Sequence, residues 1–246
     1  MRSSMLVLIF SVSVQAATPA AQRMFDTKLT AAQRNDACFE LRGDKSPDTL
    51  DAMLQALSVE VVRNCAGENL RVAEALPQLR AALSGNNPEI RALAARELGS
   101  FQKPELLEAL AEAARDPNLL VAVNAVAGLS QYEDAGVFPY LEALAVKGGM
   151  LGVLSLSRLG ELKDPRALDI ARTLLSGREE VTDRVAAMRV IGELGDRSDL
   201  PALRKIAAQT EGPVAARQRG FGLMPQIDLA RTARATIAQI EKRAHR

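Results

Sequence analysis

From residue 87 to residue 99 the chain reads NPEIRALAARELG, and three later segments end in a similar way. Each segment closes on a leucine that follows an apolar stripe, namely Leu98, Leu129, Leu159 and Leu194. These leucines are 31, 30 and 35 residues apart. A period of this length is typical of solenoids, in which each repeat buries its apolar face against its neighbours. The chain is therefore predicted to be a stack of repeats.

The same register holds away from the four leucines. The positions eight before, nine after and twelve after each leucine are all apolar: Ile90, Val121, Leu151, Ala186, Leu107, Phe138, Leu168, Leu203, Leu110, Leu141, Ala171 and Ile206. Because hydrophobic residues make up 48% of the chain, agreement at every one of these positions is far beyond chance. The repeat is a property of the sequence and not only of its four most similar segments.

Each repeat is predicted to be a pair of helices. Apolar residues recur at spacings of three and four, which is the pattern of one helix face. Helix starts are indicated where a capping side chain precedes a proline, at Ser46-Pro47, Asn87-Pro88, Asp116-Pro117 and Asp164-Pro165. At the N-terminal side, Thr30 and Gln33 have the spacing of a capping box. Signals for strands are nearly absent, so the predicted fold is an all-α solenoid of stacked antiparallel helix pairs.

Helix ends and the weaker N-terminal repeats follow from the same pattern. Gly99, Gly160 and Gly195 come directly after anchor leucines, where a left-handed residue would close a helix. Before the clear repeats, residues 46–57 and 59–66 are expected to form one helix pair.

Residues 87–99 resemble the second helix of a HEAT repeat, of the short type that also occurs in phycobilisome-lyase-like proteins. Residues 104–114 match the first helix of the following unit, and the resemblance extends over about residues 44–210. It implies a HEAT-like superhelix. The resemblance is specific for the fold and says little about function.

The N-terminus has the pattern of an export signal. Arg2 precedes an apolar run over residues 5–14, and a site of small residues favours cleavage after Ala16. The run is shorter than a membrane span, so no transmembrane segment is expected after cleavage. Residues 1–16 are assigned to a signal peptide, 17–29 to a linker and 30–246 to the solenoid, with a capping helix at about 229–244. An uncleaved anchor or a buried first helix would give the same apolar run. The expected location is the periplasm or the extracellular medium.

Cys38 and Cys65 are the only cysteines, and export would place them where disulfides persist. The register puts each near the end of the second helix of successive pairs, so a disulfide between them is predicted. Two small buried thiols would be the alternative.

The composition argues against most catalytic chemistry. The single histidine, His245, lies next to the C-terminal residue, which removes imidazole-based nucleophile activation and sites with several histidine ligands for a metal. No catalytic, cofactor-binding or metal-binding residues are predicted, and the chain is expected not to be an enzyme. Solenoids bind partners through extended surfaces built from their repeats, so a scaffold that binds another protein is the leading hypothesis.

The candidate partner-binding face consists of polar side chains on second helices, namely Arg96, Asn124, Arg158 and Arg189. These side chains could hold an acidic partner segment through charge-assisted hydrogen bonds. The alternative is a solvated helix face with ion pairs between repeats.

Two other functions stay open. The resemblance to phycobilisome-lyase-like proteins implies an accessory protein or enzyme that attaches chromophores, and some HEAT-like proteins bind nucleic acid. Both would require a cytosolic chain. The acidic residues outnumber the basic ones over 17–200, by 27 to 21, which disfavours nucleic acid. Residues 201–246 have the opposite balance, with 9 basic and 3 acidic residues, which a solvated terminal helix would also explain.

Overall fold

The computed structural model describes residues 18–177, 180–209 and 227–244. Over these residues the chain is helical and contains no β-strand. The chain divides into two compact units, the first ending at Glu97 and the second beginning at Leu98. The fourteen α-helices in the described ranges are α1 Pro19–Phe25, α2 Ala31–Glu40, α3 Pro47–Ala56, α4 Arg63–Val72, α5 Leu76–Ala82, α6 Pro88–Gly99, α7 Leu107–Ala113, α8 Leu119–Leu129, α9 Phe138–Ala145, α10 Gly149–Glu161, α11 Pro165–Gly177, α12 Val181–Leu194, α13 Leu200–Ala207 and α14 Leu229–Ala244.

The first unit is built from successive antiparallel helix pairs. Helix α1 packs on α2 and α3 packs on α4, while α2 contacts α4 and α3 contacts α1 and α5. Like helices of neighbouring pairs therefore lie side by side, as they do in a solenoid. The core between the rows is made of small and aliphatic side chains, of which Met24, Met53, Leu57, Leu70 and Leu79 are fully buried.

The second unit repeats the arrangement with α7–α8, α9–α10, α11–α12 and α13–α14. The second helices α10, α12 and α14 pack side by side. Helices α7, α9 and α13 each follow directly on a short 3-10 helix. The Arg243 guanidinium on α14 donates to the carbonyls of Gly192 (2.7 Å), Glu193 (2.6 Å) and Gly195, so α14 caps the end of α12. The predicted all-α solenoid of stacked helix pairs is confirmed.

The register positions occupy the interior. Leu98, Leu129 and Leu159 are fully buried, and Leu194 is partly exposed. Of the twelve positions at fixed offsets from these leucines, eight are buried and four are partly exposed. The apolar period of the sequence therefore marks the surface that each helix pair buries against its neighbours.

Polar side chains begin the helices at most of the predicted starts. The Thr30 hydroxyl accepts from the Gln33 amide and the Gln33 side chain accepts from the Thr30 amide, so the capping box is confirmed. Asp164 accepts from the Arg166 amide at 2.8 Å, just before Pro165 opens α11. Helix α8 differs, because it begins at Leu119 and is capped by Asn118 instead of following Asp116-Pro117 directly.

The glycines after the anchor leucines are not left-handed helix caps. Gly99 is the last residue of α6 and Gly160 lies inside α10, and neither has a positive φ. The left-handed residues come three positions later, at Gln102 (φ 49°) and Lys163 (φ 55°). Gly195 is extended, with φ −70° and ψ 172°. A Cβ atom on Gly99 or Gly160 would instead press against a neighbouring helix. These glycines allow close packing between repeats, and the left-handed assignment is wrong.

Two assignments near the N-terminus also need correction. The segment 17–29, expected as a linker, contains helix α1, capped by Thr18 and packed on α2. The helix expected over 59–66 begins four residues later than predicted, because turns continue to Val62 and α4 starts at Arg63. The Arg63 guanidinium donates to the Leu57 carbonyl at 2.7 Å and fixes this loop. The last helix, α14, occupies the range expected for the capping helix. The proposed signal peptide and Ala16 lie outside the described residues.

A disulfide joins Cys38 on α2 to Cys65 on α4, with Cα atoms 6.3 Å apart. Cys38 lies near the end of its helix as expected, whereas Cys65 is the third residue of α4, near its start. The buried Asn69 amide donates to the Cys38 carbonyl at 2.8 Å and contacts both sulfurs at 3.7 and 3.8 Å. The second helices α2 and α4 are thus linked by a covalent bond with a hydrogen bond beside it.

Ion pairs in the first unit follow the repeat. Three of them join residues that are 26 positions apart: Arg42–Glu68 at 2.7 Å, Arg63–Glu89 at 2.9 Å and Arg71–Glu97 at 3.4 Å. Each pair lies between successive second helices or the end of one and the body of the next. Because such partly exposed pairs contribute little individually, they fix the relative position of the repeats more than they stabilise them.

Candidate functional site

The second helices of the second unit expose apolar side chains. On α8, Leu120 is 52% exposed, and on the neighbouring α10, Met150 and Leu154 are 48% and 41% exposed. Leu120 is one turn from Asn124, and Leu154 is one turn from Arg158, so these residues share helix faces with two of the predicted residues. We call Leu120, Met150 and Leu154 the apolar face.

The Arg158 side chain is bound to other residues of the fold. Its guanidinium pairs with Glu161 at 3.2 Å and donates to the Tyr132 carbonyl at 3.2 Å, and 21% of its side chain is exposed. Its Nε is buried and makes no hydrogen bond. Tyr132 in turn donates from its hydroxyl to the Lys103 carbonyl at 2.9 Å. Arg158 therefore extends a chain of hydrogen bonds between repeats, and little of its guanidinium remains for a partner.

Asn124 and Arg189 differ in which of their side-chain groups remain available to a partner. The Asn124 amide donates to the Leu120 carbonyl in its own helix at 2.8 Å, which leaves its side-chain oxygen as the acceptor. The Arg189 side chain is 63% exposed and lies 3.5 Å from Glu193, one turn along α12. An exposed pair of this kind is weak, so Arg189 can exchange Glu193 for another carboxylate.

Arg96 lies on α6, in the first unit, whereas Asn124, Arg158 and Arg189 lie in the second. The adjacent Glu97 is largely buried, with 17% of its side chain exposed. Burial raises the pKa of Glu97, while Arg71 and Arg96 act in the opposite direction. Arg96 thus contributes to the environment of a buried carboxylate in its own unit.

A buried carboxylate holds the start of α10. Gly148 and Gly149 both have positive φ, at 66° and 68°, so the chain turns where a side chain would be strained. The Gly149 amide donates to Asp183 Oδ1 at 2.9 Å, and Asp183 is fully buried. The other oxygen, Oδ2, has no hydrogen-bond partner. Asp183 positions α10, and with it Met150 and Leu154, relative to α12.

Within residues 18–177, 180–209 and 227–244, no group of three or more His, Cys, Asp or Glu side chains is placed to hold a metal ion. No helix in those ranges combines the length and apolar character that a membrane span requires.

The comparison with protein families agrees with the repeat. Residues 76–148 match the family model for HEAT repeats, which covers the end of the first unit and the start of the second. This match shows that residues 76–148 contain HEAT repeats, in the part of the chain where the register is clearest. No curated protein matches the chain.

Several solved structures are similar over most of their length. Human deoxyhypusine hydroxylase in complex with glycerol is 17% identical, with 91% of this chain and 95% of that chain covered and a TM-score of 0.36. An engineered protein is 14% identical, with coverage of 91% and 95% and a TM-score of 0.45. A designed armadillo repeat protein is 17% identical, with coverage of 90% and 98% and a TM-score of 0.43. These similarities carry no functional assignment.

From the sequence, only polar residues were predicted for this surface. The apolar face was missed because leucine and methionine in an amphipathic helix are ordinarily assigned to the core. Leu120 and Leu154 fall outside the repeat positions that define the register, so the period gave no indication that they are exposed.

Proposed function

We propose that this protein is an exported scaffold that binds another protein through the apolar face and Arg189, and that it catalyses no reaction. The observation that carries the proposal is the exposure of Leu120, Met150 and Leu154 on two adjacent helices. Exposed apolar side chains that cluster on a surface are characteristic of protein interfaces. Their burial would supply the interface core, and Arg189 would supply a polar edge.

The chemistry of the partner follows from this composition. The partner presents an apolar segment that covers the three side chains, with an acidic residue next to it. That acidic residue replaces Glu193 beside the Arg189 guanidinium, which lies 3.5 Å from Glu193. The lack of histidines other than His245 supports the non-catalytic role.

Binding is tested by capturing the partner from an envelope extract with the full chain as bait and cross-linking it in place. Leu154→Glu should abolish capture, because it puts a charge in the centre of the interface. Arg189→Glu should weaken it through repulsion of the acidic residue. Val72→Glu is the matched control, since Val72 is 43% exposed on the first unit and should leave capture unchanged. A partner that is retained equally by all three variants would contradict the proposed face.

Export is supported by the apolar run at residues 5–14 and by the disulfide, because structural disulfides persist in oxidising compartments. Fractionation of the source cells, followed by sequencing of the mature N-terminus, tests it. We expect a periplasmic or secreted protein that begins at Ala17. A cytosolic protein with an intact N-terminus would refute export and leave the binding face to be judged by the variants.

A further inference from the structure

A pocket separate from the apolar face opens between α11, α12 and α13. It has a volume of about 360 Å³, within the range of small-molecule sites. Its apolar wall includes Leu175, Ile191 and Ile206, all of which are buried. Three cationic side chains, those of Arg172, Arg184 and Lys205, also line it.

The positive charge of this pocket is only partly neutralised. Arg172 donates to both oxygens of Asp199, at 2.7 and 3.1 Å. Asp199 is the one acidic residue that lines the pocket, so its charge is already paired with that of Arg172. Within the described ranges, neither Arg184 nor Lys205 has an ion-pair partner. The lining therefore carries two positive charges more than it carries negative ones.

Arg184 has an unusual environment for a charged side chain. It is only partly exposed, and its Nε is buried without a hydrogen bond. A charged group that has lost water without gaining a partner is costly, and in Arg184 this applies to the Nε of the guanidinium. An anion that enters the pocket would gain more from it than from a fully hydrated arginine, because the attraction is stronger where water is excluded.

We propose that this pocket binds a small aliphatic carboxylate, with the carboxylate between Arg184 and Lys205 and the aliphatic part against Leu175, Ile191 and Ile206. An inorganic anion would leave that wall uncovered, and a neutral apolar molecule would leave the two cations unpaired. A carboxylate group matches the planar, two-pronged geometry of the arginine guanidinium. A small aliphatic carboxylate also has one negative charge and a short chain, which suit a pocket of this size. Such a ligand is either a free monocarboxylate or the carboxyl end of a peptide.

The test is calorimetric titration of the full chain with two probes. Hexanoate represents a free monocarboxylate, and N-acetyl-leucine represents a peptide end. Hexanamide and N-acetyl-leucinamide are the neutral controls, and inorganic phosphate is the competing anion. We expect at least one carboxylate to bind in the millimolar range or tighter, and neither amide to bind measurably. Stronger binding of N-acetyl-leucine assigns a peptide end, and stronger binding of hexanoate assigns a free acid.

Variants locate the binding. Arg184→Gln and Lys205→Gln should each weaken binding by about tenfold, as expected for loss of one charge-assisted hydrogen bond. Arg231→Gln makes the same change in charge on α14, away from the pocket, and should leave binding unchanged. Because Lys205 is exposed, its variant keeps the test valid even where Arg184→Gln fails to fold. Binding of the amides, tighter binding of phosphate, no binding of either carboxylate, or full binding by both pocket variants would overturn the proposal.

Discussion

A Cβ atom on Gly99 would overlap the Cα atom of Gly128 and would lie 2.5 Å from the Gly128 carbonyl oxygen. Gly99 ends α6, and Gly128 lies near the end of α8, so the backbones of two successive second helices touch at this point. Neither partner is a side chain that could rotate away. The two helices can come this close because neither residue has a side chain.

Gly99→Ala should lower the free energy of unfolding by about 1–2 kcal/mol, measured by urea denaturation. Overpacking against a backbone costs about 1–3 kcal/mol, and the better helix propensity of alanine returns up to about 1 kcal/mol. Gly177→Ala is the control, because nothing lies within 4 Å of a Cβ at Gly177. It should leave stability unchanged or raise it slightly. Equal effects of the two changes would argue against the contact.

Reduction of the Cys38–Cys65 disulfide should lower the free energy of unfolding by about 3–4 kcal/mol, because the bond closes a loop whose ends are 27 residues apart. Urea denaturation with and without dithiothreitol measures this difference. The double variant Cys38→Ala, Cys65→Ala should be less stable than the oxidised protein and insensitive to dithiothreitol. If dithiothreitol has no effect on the unaltered protein, the bond is absent under the conditions used.

Glu97 should give the protein a pH dependence that Glu97→Gln lacks. Burial raises the pKa of Glu97 above its usual 4.5, in spite of Arg71 at 3.4 Å, so the folded protein binds this proton more tightly than the unfolded chain. Its contribution to stability is complete below the unfolded pKa and is lost as pH rises through the folded value. Relative to the variant, the unaltered protein should therefore lose stability between about pH 4 and neutrality.

Unfolding curves of both proteins across that pH range measure the effect, with circular dichroism to verify that each is folded at both ends. A difference in stability that is constant with pH, or that grows in favour of the unaltered protein as pH rises, would show that attraction to Arg71 outweighs burial.

Tyr132→Phe should cost about 1 kcal/mol, because it removes the 2.9 Å hydrogen bond to the Lys103 carbonyl from a fully buried site. Tyr140→Phe, at a partly exposed position, is the matched control and should have little effect in the same urea assay. Burial, with Glu105 and Asp134 nearby, raises the pKa of Tyr132 to about 12. In an alkaline absorbance titration, Tyr132→Phe should remove the tyrosinate signal that appears near that pH.

Much of the fold could be predicted because the buried residues of a solenoid recur at a regular spacing along the sequence. The buried leucines 98, 129 and 159 and the capping box at Thr30 depend on residues that are close in sequence. Local patterns failed where a partner from another repeat decides the outcome. Gly99 looked like a helix-closing glycine, but its role depends on Gly128, 29 positions away.

Which of the candidate site residues remain available to a partner could not be predicted, for a related reason. Arg158 has the position of a surface residue on a second helix. Its guanidinium nevertheless donates to the Tyr132 carbonyl and pairs with the Glu161 carboxylate. No feature of the residues around Arg158 indicates that a carbonyl 26 positions earlier lies within reach. Exposure of Leu120 and Leu154 likewise depends on which helices neighbour α8 and α10, and sequence period alone does not give that.

The covalent link between α2 and α4 has a mechanical consequence. If the protein is stretched from its two ends, the segment between Cys38 and Cys65 cannot extend, however far the surrounding helices unravel. A fully extended residue spans at most about 3.3–3.6 Å, so the bond withholds roughly 90 Å of contour length. Optical-tweezer traces of the oxidised chain should end short by that amount, and a reducing buffer should restore it.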